Sequence, residues 1–142
     1  SALGIVLNYP NKSSNELRAS KVKLASQPST ISSLSIPCVG FIGAGNYASR
    51  TLIPAFKDAG SILDTVVTSD GISGVHHGNK NKFLTASTNI DDVLNNKQIN
   101  TIAIVTRHDA HASQVIDALN AGKHVFVEKP LALTLDELEL ID

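Results

Sequence analysis

Apolar runs of strand length alternate with stretches of helical spacing over most of the chain. From residue 37 onward this pattern predicts five strands. They lie at 38–42, 63–68, 83–86, 101–106 and 124–127, and the helices between them lie at 46–59, 72–79, 89–94 and 110–120. Strands that alternate with helices are typical of an open, doubly wound parallel sheet. The sequence therefore predicts an α/β fold of the Rossmann type for residues 37–142.

Residues with known capping preferences define the predicted helix ends. Glycines fit the C-terminal stops of three helices, at Gly60, Gly78 and Gly122. Thr134 and Glu137 have the spacing of a capping box, which opens one further helix. Pro54 falls inside the first helix and lacks a backbone N–H, so we expect a kink there.

The first 36 residues follow a different pattern. Residues 3–7 are apolar, and Lys21–Leu24 alternates polar with apolar side chains, as in a strand. We predict a β-hairpin followed by a Ser-, Asn- and Pro-rich linker over residues 1–36. An isolated hairpin is marginally stable, so this one is expected to lean on another part of the molecule.

Composition excludes several classes of protein. The chain of 142 residues is 42% apolar with a net charge of −1, which gives no electrostatic reason to expect a nucleic acid or an anionic membrane as partner. It has no apolar run of membrane-spanning length and no secretory signal, so we expect a cytoplasmic protein. Cys38, the single cysteine, starts a strand and is expected to be a packed thiol. The absence of methionine suggests a piece of a longer protein.

A glycine turn follows the first predicted Rossmann strand. Gly43 would let the chain turn off the strand, and Gly45 would let the backbone approach a pyrophosphate. Ala48 would let the helix lie close to the strand, and the N–H groups of its first turn would face the phosphates. The motif alone is weak, because glycine turns are common. The predicted cofactor-binding residues of this turn are Gly43, Ala44, Gly45, Asn46 and Tyr47.

Polar side chains follow the other predicted strands at the same edge of the sheet. Asp70 lies at the distance from the glycine turn where an acid binds the adenosine ribose and selects NAD. The alternative is that Asp70 caps the next helix. Ser69 could instead accommodate a ribose phosphate, so NAD and NADP both stay open. Beyond the fourth and fifth strands come Thr106, Arg107, His108, His111, Glu128, Lys129 and Pro130.

The segment Ala-Gly-Lys-His-Val-Phe-Val-Glu-Lys-Pro at residues 121–130 resembles a signature of the glucose–fructose oxidoreductase, inositol dehydrogenase and MocA family. Thr106 followed by His111 resembles the preceding family segment, although Arg107 and His108 depart from its commoner wording. The resemblance covers residues 37–142. It implies a Rossmann domain that binds NAD or NADP, with a second, substrate-binding domain absent from these residues.

The resemblance also implies roles for individual residues. Lys129 would lie beside the nicotinamide and assist proton movement, in a loop where a cis bond precedes Pro130. His111 would polarise the substrate or contact the cofactor, whereas the residues alone favour a first-turn helix residue with no catalytic task. Thr106, Arg107, His108, Glu128 and Pro130 would contribute to the cofactor site. His76 and His77 lack ligand companions, so no metal site is expected.

The implied activity is hydride transfer between a nicotinamide and a hydroxyl- or carbonyl-bearing substrate such as a sugar or cyclitol. We expect residues 1–142 alone to be inactive and the full-length protein to form a homo-oligomer. A sensor that binds NAD(P) without catalysis is an alternative. A third candidate, an S-adenosylmethionine methyltransferase, is disfavoured by the Glu-Lys-Pro segment. The sequences of these loops also resemble a two-part branch of the family, in which a zinc-type dehydrogenase region precedes the Rossmann domain in the same polypeptide.

Overall fold

The computed structural model describes residues 13, 18–25 and 36–142. Its strands are β1 (Lys21–Lys23), β2 (Cys38–Ile42), β3 (Ile62–Val67), β4 (Thr85–Ser87), β5 (Thr101–Ile104) and β6 (His124–Val127). Its helices are α1 (Ile53–Asp58), α2 (Gly71–Asn81), α3 (Asp91–Leu94), α4 (His111–Asn120) and α5 (Leu135–Ile141). A π-helical turn at Ala48–Leu52 leads into α1, and a 3₁₀ turn at His108–Ala110 leads into α4.

The strands form one sheet in the order β1-β4-β3-β2-β5-β6. The strands from β2 to β6 pair in parallel, and β1 adds an antiparallel edge beside β4. The chain runs outward from β2 through β3 to β4, then crosses to β5 and β6 on the other side. This confirms the predicted doubly wound sheet, and its strand order reverses between β2 and β5. Ligands of such sheets bind at the carboxyl ends of the strands next to this reversal.

Two apolar layers cover the sheet. On one face, the rings of Phe56 and Phe83 contact Phe41 of β2 edge to face, with centroids 5.3 and 5.7 Å apart. On the other face, Ile102 and Ile104 of β5 pack with Val115 of α4, and all three are buried. All five residues of β2 are buried as well. A strand buried on both faces is what its nearly continuous apolar sequence predicts.

The predicted hairpin divides between the described and the undescribed residues. Lys21–Lys23 forms a strand as expected, but its described partner is β4. The segment after it turns over the sheet edge, where the N–H of Leu24 donates to the carbonyl oxygen of Leu84 at 2.7 Å. The predicted strand at residues 3–7 and most of the linker lie outside the described residues.

The helix that contains Pro54 has a widened turn just before the proline, in place of a simple kink. The N–H of Ile53 donates to the carbonyl oxygen of Ala48, five residues earlier, and Pro54 falls in the first turn of α1. A proline is tolerated in a first helical turn because its missing N–H would have no partner there. After the widened turn, α-helical bonding therefore begins again with Pro54 in its first turn.

The structure confirms two of the three predicted glycine stops. Gly60 and Gly122 adopt φ angles of +87° and +69°, which favour glycine at a helix end. Gly78, however, lies inside α2, which runs on to Asn81 and ends with Lys82 at φ +69°. A Cβ on Gly78 would lie 3.4 Å from Val66 Cγ1 and overlap Leu24, so this glycine serves close helix–sheet packing.

The capping box is confirmed. The Thr134 hydroxyl accepts from the N–H of Glu137, and the Glu137 carboxylate accepts from the N–H of Thr134. Over the described part of the chain, the helices are too short or too polar to cross a membrane.

Candidate functional site: a cleft at the carboxyl edge of the sheet

A cleft of about 840 Å³ opens where the strand order reverses. Its walls come from the turn after β2, the tip of β3, the face of α2 and the loop after β5. Seven of the predicted cofactor-binding residues line it, namely Gly43, Ala44, Gly45, Asn46, Ser69, Thr106 and Arg107. The parallel sheet therefore brings together side chains that are up to 64 residues apart in sequence, because the same edge of the sheet carries all these loops.

Gly43 is required by the fold itself. Its φ is +100°, and its N–H donates to the carbonyl oxygen of Val67 at 2.8 Å. A Cβ at this position would lie 2.7 Å from the carbonyl oxygen of Val105, which is closer than real Cβ atoms approach. The turn off β2 thus needs glycine for its backbone angle and for its distance from the chain after β5.

Gly45 is not required by the fold. Its φ lies outside the left-handed region, and a Cβ there would meet no described atom within 4 Å. Gly45 lines the cleft, so the missing side chain leaves open the space directly above the turn. That space fits a group that approaches the backbone closely.

Backbone donors face the same region. The first bond inside the helix runs from the N–H of Ser49 to the carbonyl oxygen of Gly45 at 2.8 Å. The N–H groups of Asn46 and Tyr47 come earlier in the helix, where α-helical bonding provides no acceptor. Ala48 is buried under the turn, as expected for a helix that lies close to its strand. A helix start of this kind favours anions.

The loop after β5 forms the opposite wall. The Thr106 hydroxyl donates to the side-chain oxygen of Gln114 at 2.6 Å, which ties the loop to the first turns of α4. Arg107 pairs with Asp109 at 3.7 Å, and the two side chains are 91% and 66% exposed. So exposed a pair is weak, which leaves the guanidinium free to meet an anion in the cleft.

Asp70 is the N-cap of α2. Its carboxylate accepts from the N–H of Ile72 at 3.1 Å, and its carbonyl oxygen accepts from the Thr68 hydroxyl at 2.7 Å. Asp70 lines a second groove of about 490 Å³ beside the cleft, whereas Ser69 lines the cleft itself. The capping alternative is thus confirmed for Asp70, and the residue remains exposed.

His111 is fully buried and does not line the cleft. Its Nδ1 lies 2.8 Å from the carbonyl oxygen of Pro130, and its Nε2 lies 3.2 Å from that of Thr106. Both ring nitrogens therefore face backbone acceptors. The expected contact of His111 with a substrate or cofactor is not available in this arrangement, because no ring atom reaches the surface.

The Glu-Lys-Pro loop follows β6 at the same edge of the sheet, beyond the residues that line the cleft. The Lys129–Pro130 peptide bond is cis, as expected. The Lys129 side chain is exposed, and its N–H donates to the Glu128 carboxylate at 3.3 Å.

Two other predicted residues also lie off the cleft walls. Tyr47 is 57% exposed on the first helical turn. His108 is exposed and its ring contacts that of His111 edge to face at 5.7 Å.

Two residues of α2 that the sequence did not assign to the site, Ser73 and His77, line the cleft. They are four residues apart and so share a helix face, which is the signal that could have found them. Burial lowers the pKa of His77, and the neighbouring His76 and Lys80 act in the same direction. The described residues contain no group of three His, Cys, Asp or Glu side chains arranged to hold a metal ion.

The chain is similar to known proteins in both sequence and fold. The family model described as "Oxidoreductase family, NAD-binding Rossmann fold" matches residues 38–141. The chain is 28% identical over 98 residues to 1,5-anhydro-D-fructose reductase of Ensifer adhaerens, covering 69% of this chain and 29% of that protein. It is 29% identical over 105 residues to inositol 2-dehydrogenase of Salmonella paratyphi B, covering 72% and 31%.

A solved structure of an oxidoreductase domain protein from Kribbella flavida superposes with a TM-score of 0.69 at 28% identity. The match covers 75% of this chain and 30% of that one. The chain thus spans less than a third of the length of each of these proteins.

Proposed function

Because the chain belongs to the oxidoreductase family with an NAD-binding Rossmann fold, we propose that its cleft holds NAD or NADP for hydride transfer to or from a hydroxyl- or carbonyl-bearing substrate. The diphosphate of the dinucleotide would rest on the glycine turn. The nicotinamide end would extend past the loop after β5 toward the Glu-Lys-Pro loop. The adenosine end would lie at the tip of β3.

The open space over Gly45 is the observation that carries this proposal. The fold explains Gly43 by its φ and by its closeness to Val105, but it gives Gly45 no comparable reason to be glycine. A ligand that sits on the backbone supplies that reason. The N–H groups at the start of the helix then match a diphosphate, which has acceptors and negative charge.

The walls of the cleft suit the rest of a dinucleotide. Arg107 is an exposed cation on the cleft wall and would face the diphosphate, exchanging its solvent-screened contact with Asp109 for a charge-assisted bond. Ser69 and the Asp70 carboxylate lie where the adenosine ribose would be held. A ribose hydroxyl would donate to Asp70, whereas a ribose phosphate would be repelled by it and would rely on Ser69.

When bound, the nicotinamide supplies the hydride acceptor or donor. The proton that accompanies hydride transfer needs a protein group, and Lys129 is the residue we assign to it. A lysine on an exposed loop at this edge can give a proton to a substrate oxygen as the ammonium, or take one from it as the neutral amine. Glu128 fixes the lysine's backbone N–H, which orients the start of the loop.

For the substrate, we propose a sugar or a cyclitol. The names of two relatives, 1,5-anhydro-D-fructose reductase and inositol 2-dehydrogenase, support polyhydroxylated rings. Both relatives are about three times longer than the matched region, so substrate recognition is assigned to parts of the polypeptide beyond the 142 residues.

A thermal-shift comparison with NAD, NADP, S-adenosylmethionine and coenzyme A tests the proposal. A ligand that binds only the folded state stabilises it by RT ln(1 + [L]/Kd), so the melting temperature should rise with NAD or NADP. A shift with S-adenosylmethionine alone, or with none of the four, would refute the assignment of the cleft.

A further inference from the structure

His111 connects two loops that the proposed function uses separately. One acceptor, the carbonyl oxygen of Thr106, belongs to the loop that lines the cleft. The other, the carbonyl oxygen of Pro130, belongs to the residue after Lys129. The two acceptors are 24 residues apart in sequence and follow different strands. We infer that His111 is a positioning residue that fixes the Lys129 loop relative to the cofactor cleft.

The chemistry of the ring supports a tie between the loops rather than a role as a core filler. Carbonyl oxygens only accept hydrogen bonds, so each ring nitrogen needs a proton to make its bond. A neutral imidazole carries one N–H, and the shorter distance assigns it to Nδ1 and Pro130. The Nε2 of the neutral ring then has no proton to donate to the Thr106 carbonyl oxygen, so the tie is the bond to Pro130. An apolar side chain of the same size would leave the Pro130 carbonyl oxygen without this donor.

The surroundings make the tie stiff. His111 is the first residue of α4, has no exposed surface and lies under the ring of His108. Gln114, one turn further along the same helix, bonds the side chain of Thr106. The helix therefore holds the loop after β5 through Gln114 and the loop after β6 through His111. A shift of the Pro130 backbone away from α4 has to break the bond to His111.

The inference rests on the proposed function, because the position of Lys129 matters only if a cofactor binds in the cleft. Its test gives different results when the tie is absent and when the proposed function is wrong. The amide of asparagine occupies roughly the place of the histidine Nδ1, and that of glutamine roughly the place of Nε2. His111→Asn should therefore keep the bond to Pro130, and His111→Gln should lose it. His111→Phe fills the same volume and donates to neither.

The experiment compares backbone amide spectra of the ¹⁵N-labelled chain and its variants, with and without NADH. The Asn variant should leave the amides of Lys129 and Leu131 as in the wild type. The Gln and Phe variants should both shift and mobilise them. In the intact protein, kcat should then be retained by His111→Asn and lost by His111→Gln.

Equal changes at Lys129 and Leu131 for the Asn and Gln variants, or no change in either, would overturn the inference, because a merely space-filling histidine makes no such distinction between the two amides. Failure of the wild-type spectrum to respond to NADH or NADPH would instead count against the proposed function. The loop pattern would still decide whether His111 ties the two segments.

Discussion

Gly43 and Val105 hold the ends of β2 and β5 at a separation that excludes a side chain, since a Cβ on Gly43 would lie 2.7 Å from the Val105 carbonyl oxygen. The contact sets the width of the cleft at its floor. The two glycines of the turn therefore have different roles. Gly43 is needed for the backbone of the fold, whereas Gly45 leaves room for a ligand.

Gly43→Ala should therefore damage the fold. The substitution combines a backbone clash with a φ of +100°, and we expect a loss of about 2 kcal/mol or more in the free energy of unfolding. Urea denaturation followed by circular dichroism measures it. Wild-type stability in this variant would show that the turn can relax, contrary to the geometry.

The Asp70 carboxylate both caps α2 and carries a negative charge, and two substitutions separate these two roles. Asparagine caps a helix about as well as aspartate, so Asp70→Asn should keep wild-type stability, whereas Asp70→Ala should lose about 1 kcal/mol. Removal of the carboxylate should raise the affinity for NADPH relative to NADH, because repulsion of the ribose phosphate disappears. Fluorescence titration of both cofactors checks this, and an unchanged preference would remove Asp70 from the site.

Lys129→Met tests the assigned proton carrier in the intact protein. Methionine keeps most of the side-chain length and removes the ammonium, so turnover should fall by about 10²- to 10⁴-fold while NADH affinity stays near the wild-type value. Lys123→Met is a control for the loss of one lysine, since Lys123 lies near the opposite end of β6 and donates to Asn96 and Ile99. Retained turnover in Lys129→Met would contradict the role of Lys129 as the proton carrier, and a wild type that binds NADH without turnover would favour the cofactor sensor.

Cys38 should make the folded state sensitive to alkaline pH. Burial raises the pKa of this thiol to about 11, and the nearby Asp64 carboxylate acts in the same direction. Above pH 9 the unfolded thiol loses its proton while the folded one keeps it, so its contribution to stability is complete below pH 9 and is lost as pH rises through 11. The expected loss is about 3 kcal/mol.

The comparison of wild type with Cys38→Ala isolates this term. Burial lowers the pKa of Lys123, which gives the opposite pH dependence in both proteins. Urea denaturation at pH 8 and pH 10.5 should show a steeper loss of stability for the wild type. Equal slopes would contradict the raised thiol pKa.

The sequence predicted the features that depend on local pattern. The apolar strand β2, the positive φ of Gly43 and the capping box of Thr134 follow from residue type and spacing alone. The edge at which the loops meet also follows, because parallel strands carry their carboxyl ends to one side. These features needed no knowledge of which helix packs on which face.

The features that depend on tertiary contacts were missed. The local pattern at Gly78 predicts a helix stop, because it does not show that Val66 and Leu24 pack against this glycine. Nothing in the sequence indicated that the His111 ring is buried, since the carbonyl oxygens that face it belong to Pro130 and Thr106, which are 19 and 5 residues away. No local pattern encodes such distances, which is why the burial of a polar side chain is hard to predict.

The central claim is that a dinucleotide rests on the backbone at Gly45. Titration of NADH or NADPH into wild type, Gly45→Ala and Gly122→Ala tests it most directly. Gly45→Ala should fold as well as the wild type, yet bind about ten-fold or more weakly, since its methyl group costs at least one bond to a charged group. Gly122→Ala, strained at φ +69° and at the far end of α4, should lose stability but keep the wild-type dissociation constant. Wild-type affinity in Gly45→Ala would contradict the account.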